Sequence, residues 1–189
     1  VGVLNGHVTP GDTVAVVGSG PIGLAAIKGA KLFSPANIIA IDPAKTRLDA
    51  ALEFGADAAV GLDADPHGTV RALTDGLGAD VVIEAVGVPE SFELCTELVR
   101  PGGHVANIGV HGRPATLHLE SLWIKNVTIT TGLVDTYSTP TLLKMLEAGQ
   151  IDTTQFLTHR FGLDEMMEAY DVFGQASDSG ALKVALFRT

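Results

Sequence analysis

Short, almost uninterrupted apolar runs alternate in this chain with longer segments whose apolar positions recur at helical spacing. The runs cover residues 13–17, 38–41, 57–60, 79–86, 104–110 and 127–131. A run that is apolar at successive positions fits a strand buried on both faces, as a parallel sheet requires. Residues 22–33, 69–77 and 90–99 read as helices between them; in the second, Val70 and Leu73 face inward and Gly78 ends it. Residues 101–103 read as a turn. Such alternation, with right-handed crossovers, predicts an α/β fold. Its core is a doubly wound parallel six-stranded sheet of order 3-2-1-4-5-6, carried by residues 1–134. Residues 135–189 form a C-terminal appendage: a helix over 139–149, a helix with Met166, Ala169, Tyr170 and Phe173 as a core stripe, and a final strand. In that strand Leu182, Val184 and Leu186 take one face and Lys183 the other.

The first strand runs straight into Gly18-Ser19-Gly20-Pro21-Ile22-Gly23, the spacing of a dinucleotide-binding turn. Gly18 allows the tight turn, Gly20 lets backbone approach a pyrophosphate, and Gly23 lets the helix pack close to the sheet. The pyrophosphate would lie at the helix N-terminus, where unpaired N–H groups and the macrodipole favour an anion. Pro21 suits a first helical turn. The second strand ends in Asp42, nineteen residues after Gly23, near the ~20 expected for a carboxylate that binds the adenosine ribose. A carboxylate accepts from both ribose hydroxyls and repels a 2′-phosphate, so Asp42 favours NAD over NADP. Asp42 also suits the start of a turn before Pro43. Arg47 either lies along the same ribose or stands as a helix-surface arginine. In a doubly wound sheet the ligand crosses the carboxyl ends of the strands where the winding reverses. The fourth and fifth strands end there in Ala85-Val86-Gly87 and Ile108-Gly109-Val110. Small or apolar residues with free backbone groups suit a flat nicotinamide ring and its carboxamide, although glycines also simply end strands.

Composition narrows the function classes. The formal charge is −10 with no basic cluster, which argues against a nucleic-acid or anionic-membrane partner. No apolar stretch approaches the ~20 residues of a membrane span, and no signal peptide is expected. The single Cys95 excludes an internal disulfide framework, and the expected location is cytoplasmic. Cys95 reads as a small core residue on a helix with Phe92 and Val99. His7, His67, His104, His111, His118 and His159 have no chelating spacing and read as structural or solvated, so no metal is expected on this chain.

Further segments follow in a fixed order: Glu84-Ala-Val-Gly87, Arg100-Pro-Gly-Gly103, Leu122-Trp-Ile-Lys-Asn126, and Leu157-Thr-His-Arg-Phe161 before Ala169-Tyr170. With the glycine turn and Asp42, they closely resemble the coenzyme-binding portion of zinc-dependent alcohol dehydrogenases, within the medium-chain dehydrogenase/reductase family. The resemblance covers essentially the whole chain. It implies that Ile22 backs the cofactor, Arg47 touches the adenosine ribose, and Val86, Ile108, Val110, Thr131 and Leu133 surround the nicotinamide. It implies that Lys183 reaches the pyrophosphate; a solvated lysine is the alternative. It implies hydride transfer between NAD and a small alcohol or carbonyl substrate, with zinc held in an upstream catalytic domain toward which residues 135–189 pack. That domain is not in this chain, which begins at Val1 without an initiator methionine and is expected to bind NAD(H) with little or no turnover. The resemblance also implies a homo-oligomer, a dimer or tetramer, with the uncharged sixth strand at the sheet edge. A zinc-independent, quinone reductase-like enzyme and a non-catalytic NAD-binding module remain the alternatives.

Overall fold

Thr13-Val14-Ala15-Val16-Val17 is buried at every position, and this stretch forms β1 (Thr13–Val17), an inner strand of a parallel sheet. The computed structural model describes residues 1–134 and 136–188 and divides into two units, Val1–Val134 and Asp135–Thr189. In the first, α1 (Gly2–Asn5) precedes β1, followed by α2 (Pro21–Lys31), β2 (Asn37–Ile41), α3 (Lys45–Glu53) and β3 (Ala58–Val60). The second half of this unit adds α4 (Pro66–Ala72), β4 (Ala79–Glu84), α5 (Pro89–Leu98), β5 (Val99–Asn107), α6 (Leu119–Leu122) and β6 (Thr128–Thr131). The sheet order is β3-β2-β1-β4-β5-β6, all pairs parallel. This is the doubly wound order expected from the strand–helix alternation.

Alternation along the inner strands sends successive side chains to opposite faces. Ala15, Val17, Ile39, Ile41, Val82 and Val105 join Val70, Cys95 and Leu98 in one buried cluster, so α4 and α5 cover that face. On the other, Gly23 brings α2 against Val16, while Gly2 and Gly6 bring α1 against Ile83 and Val81. Cys95 is fully buried, and burial pushes its thiol well above the usual range. It is packing, as expected, and not a nucleophile.

Several elements differ from expectation. The helix expected over 69–77 is α4, starting earlier at Pro66 because Asp65 caps it by accepting from the Gly68 amide at 2.9 Å. It ends at Ala72, and Leu73, expected to face inward, is exposed. β5 starts at Val99, so the expected turn at 101–103 lies within the strand: Arg100 pairs with Asp80 and the Gly102 amide donates to the Lys125 carbonyl at 2.7 Å. β4 and β5 stop at Glu84 and Asn107, which leaves residues 85–87 and 108–110 as loops.

The second unit contains α7 (Thr139–Glu147), β7 (Leu157–Gly162), α8 (Met166–Gly174), α9 (Ala176–Ser179) and β8 (Lys183–Phe187), with β7 and β8 paired in parallel. The stripe read as core on α8 is corrected: Ala169 is buried, whereas Met166, Tyr170 and Phe173 are exposed. Their 3.6-residue spacing describes an amphipathic face but not what covers it. No helix among the described residues is long and apolar enough to cross a membrane.

At the amino edge of the sheet, Asp80 accepts from the Thr13 amide at 2.7 Å and from the Arg100 guanidinium, joining β1, β4 and β5. Asp80→Ala leaves a buried amide unpaired and is expected to lower the unfolding free energy by about 1–3 kcal/mol. The check is a lower urea midpoint with an unchanged slope.

Candidate functional site

The carboxyl ends of the parallel strands bring together segments that are far apart in the chain. The Gly18 amide donates to the Ile41 carbonyl at 2.8 Å, the Ala85 amide to the Val17 carbonyl at 2.9 Å, and the Ile108 amide to the Glu84 carbonyl at 2.9 Å. The loops after β1, β2, β4 and β5 therefore form one continuous rim. Of the sequence-predicted residues, Gly18, Gly20, Pro21, Ile22, Gly23, Asp42, Arg47, Ala85, Val86, Gly87, Ile108, Gly109 and Val110 lie on this rim. Thr131 ends β6 at the same side of the sheet, with Leu133 just beyond it. Lys183 is the first residue of β8 in the second unit and is exposed.

Gly18 has a φ of +95°, which turns the chain off β1. Gly20 is the N-cap of α2, Pro21 opens the helix, no side chain caps it, and no acidic residue lies in its first turn. The positive end of the dipole and the first amides are thus left uncompensated by the protein. Gly23 is forced by contact, since a Cβ there would stand 1.7 Å from the Gly18 carbonyl oxygen. Gly20 is different: a Cβ there would meet nothing within 4 Å, and its φ of −71° suits any residue. Beyond the mild preference of an N-cap for glycine over alanine, the fold gives no reason for glycine at this position.

Asp42 is 2% exposed. Its Oδ2 accepts from the Ser19 amide at 2.8 Å and its Oδ1 from the Ala44 amide at 2.9 Å, with an Arg47 guanidinium nitrogen 3.9 Å from Oδ2. The carboxylate thus ties the glycine turn to the end of β2 and also opens the turn into α3. Ionised carboxylate oxygens offer about four acceptor sites in all, so each keeps one beyond its backbone bond. Ile22, Val86, Val110 and Leu133 are large apolar residues left exposed, at 52%, 48%, 82% and 85%. Exposed apolar surface beside backbone polar groups is what a flat, partly polar ring can cover.

Sequence reading missed the polar cluster beneath these loops. Glu84 is fully buried, and its Oε1 accepts from the Val86 and Gly87 amides, both at 2.9 Å, and from the Ser91 hydroxyl at 2.6 Å. His111 joins it, with Nε2 at 3.4 Å from Glu84 Oε2 and 2.8 Å from Asn107 Oδ1. The one available signal was a glutamate ending an apolar strand. Among the described residues, no group of three or more His, Cys, Asp or Glu side chains is placed to hold a metal ion.

A family model described as zinc-binding dehydrogenase matches residues 21–148. An alcohol dehydrogenase of Cupriavidus necator is 36% identical over 190 residues, covering 98% of this chain and 52% of that protein. Among solved structures, the apo form of zinc dependent alcohol dehydrogenase 2 from Streptococcus pneumonia is similar with a TM-score of 0.95 at 46% identity, over 100% of this chain and 55% of that one. A short chain alcohol dehydrogenase from E. coli CFT073, solved with NADH, gives 0.89 at 26% identity, over 98% and 55%. The chain spans about half the length of the relatives it matches.

Proposed function

The chain belongs to the zinc-binding dehydrogenase family, and from that premise we propose that it is the NAD(H)-binding portion of a zinc-type alcohol dehydrogenase. The observation that carries the proposal is Gly20, a glycine the fold does not need, set at the uncapped N-terminus of α2. Backbone amides there would hold a pyrophosphate, and a side chain on Gly20 would stand in its way. Ile22 would back the cofactor. Asp42 would use its remaining acceptor sites for the ribose hydroxyls, with Arg47 alongside. Residues 85–87 and 108–110, with Thr131 and Leu133, would flank the nicotinamide. Bound nicotinamide supplies a hydride acceptor or donor; this chain's part is to fix where the ring lies and which face is open.

Among the described residues no group of three or more His, Cys, Asp or Glu side chains is placed to hold zinc, so a zinc that polarises an alcohol or carbonyl oxygen is proposed for the part of the whole protein outside this chain. In the whole protein the substrate is proposed to be a small alcohol or carbonyl compound. A cytoplasmic homo-oligomer, dimer or tetramer, goes with this reading, and the support for association is β6, an edge strand without a charged side chain.

The preference for NAD rests on Asp42. Its charge opposes a 2′-phosphate and holds the Arg47 guanidinium, which would otherwise be free to pair with that phosphate. Titrating the chain with NADH and NADPH by nicotinamide fluorescence is expected to show tighter NADH binding. Asp42→Ala is expected to weaken NADH about tenfold or more and to strengthen NADPH by about as much, a change of roughly 1.4 kcal/mol each way. Equal binding of both cofactors by the parent would remove Asp42 as the discriminator, and binding of neither would overturn the cofactor assignment.

A further inference from the structure

We infer that Glu84 is a positioning residue that sets the spacing of the two nicotinamide-side loops, with His111 as its second anchor. The inference rests on the cofactor reading above. Glu84 is 0% exposed, and burying a polar group costs free energy unless hydrogen bonds replace its contacts with water. Its contacts account for that cost in one direction: they converge on the loops. Oε1 takes the Val86 and Gly87 amides and the Ser91 hydroxyl at the start of α5. The Glu84 carbonyl takes the Ile108 and Gly109 amides, at 2.9 and 3.1 Å. One residue thereby grips the first loop with its side chain and the second with its backbone.

The second oxygen is the informative one. Oε2 has no hydrogen bond among the described residues and lies against Gly109, where a Cβ would come within 2.2 Å of it. His111 Nε2 stands 3.4 Å away while contacting Asn107 Oδ1, and the Asn107 amide donates to the Gly109 carbonyl at 3.2 Å. The two loops also meet directly: Gly87, at φ +91°, would place a Cβ 2.5 Å from the Val110 carbonyl oxygen. Val86 and Val110, the exposed residues proposed to flank the ring, are thus each adjacent to a residue this cluster holds. A pair of apolar side chains would fill the space but would leave the Val86 and Gly87 amides unpaired, so the carboxylate fixes a loop geometry that packing alone does not.

Glu84→Gln separates positioning from mere packing. The amide is nearly isosteric; its oxygen can keep the three donors at Oε1, and its NH₂ then faces Gly109 and His111 in place of an acceptor. The adenosine half would be held by the α2 amides and Asp42; Asp42 is tied to Ser19 and Ala44, whereas the Glu84 side chain is tied to Val86, Gly87 and Ser91. The expected result is at least a tenfold weaker Kd for NADH, with ADP-ribose, measured by competition or calorimetry, unchanged within about twofold. His111→Phe, which removes the second anchor, is expected to shift NADH in the same direction by about threefold, again sparing ADP-ribose; it decides the matter by the same criterion should the glutamine variant not fold. Equal losses for NADH and ADP-ribose would make Glu84 a general structural residue and overturn the inference, as would unchanged affinity for both. A parent chain that binds ADP-ribose but not NADH would also overturn it, whereas a parent that binds neither ligand brings down the cofactor reading itself.

Discussion

Gly23→Ala is expected to abolish measurable NADH binding and to lower stability by about 3–5 kcal/mol, the range of severe steric errors in a packed core. The added Cβ would stand 1.7 Å from the Gly18 carbonyl oxygen and 2.8 Å from its carbon. Neither atom can step aside cheaply. The Gly18 amide donates a hydrogen bond to the Ile41 carbonyl at the end of β2, so the turn cannot move without breaking the β1–β2 rim. The helix cannot move either, because Leu24, Ile27 and Ala30 of α2 are all fully buried, and withdrawing them exposes apolar area at about 25 cal/mol per Å². Urea unfolding and NADH titration of the same sample check the result. A variant that kept the parent's midpoint would show that α2 sits on the sheet more loosely than this contact requires.

The parts of this chain that were legible in the sequence are those whose cause is local. An inner parallel strand must be apolar on both faces, so β1, β2 and β4 announce themselves, and the glycine turn follows because the chain can leave β1 only through a few conformations. Asp42 was found by its distance from Gly23. Its second task, holding the Ser19 amide, was not, since nothing local says that a carboxylate at the end of β2 will face the turn after β1. β5 begins earlier than its apolar run, at Val99, for the same kind of reason. Arg100-Pro101-Gly102-Gly103 has turn composition, and it is drawn into the strand by Asp80 and Lys125, each twenty or more residues from its partner. On α8 the spacing marks an apolar face without marking its burial, because period specifies a face and only a partner specifies cover. The Glu84 cluster lies furthest from reach: Ser91 is on α5, while Asn107 ends β5 with His111 in the loop after it, and the two segments meet only once β4 and β5 have paired.

Gly20 tests the functional claim in a way Gly23 does not, because at Gly20 stability and binding are expected to separate. With φ at −71° and open space where a Cβ would stand, Gly20→Ala disturbs no packing. The loss of glycine at an N-cap position costs at most about 1 kcal/mol, so the urea midpoint should stay close to that of the parent. The methyl group would instead occupy the approach to the α2 amides, holding an anion off the N–H groups just where their interaction falls steeply with distance. NADH affinity is therefore expected to fall about thirtyfold or more, roughly 2 kcal/mol, and ADP-ribose affinity with it, since the pyrophosphate is common to both. Loss of the two together marks the pyrophosphate turn, whereas loss of NADH alone marks the Glu84 loops. An alanine variant that bound NADH as tightly as the parent would show that backbone at Gly20 is not approached by the cofactor, and the assignment of α2 as the pyrophosphate site would fall with it.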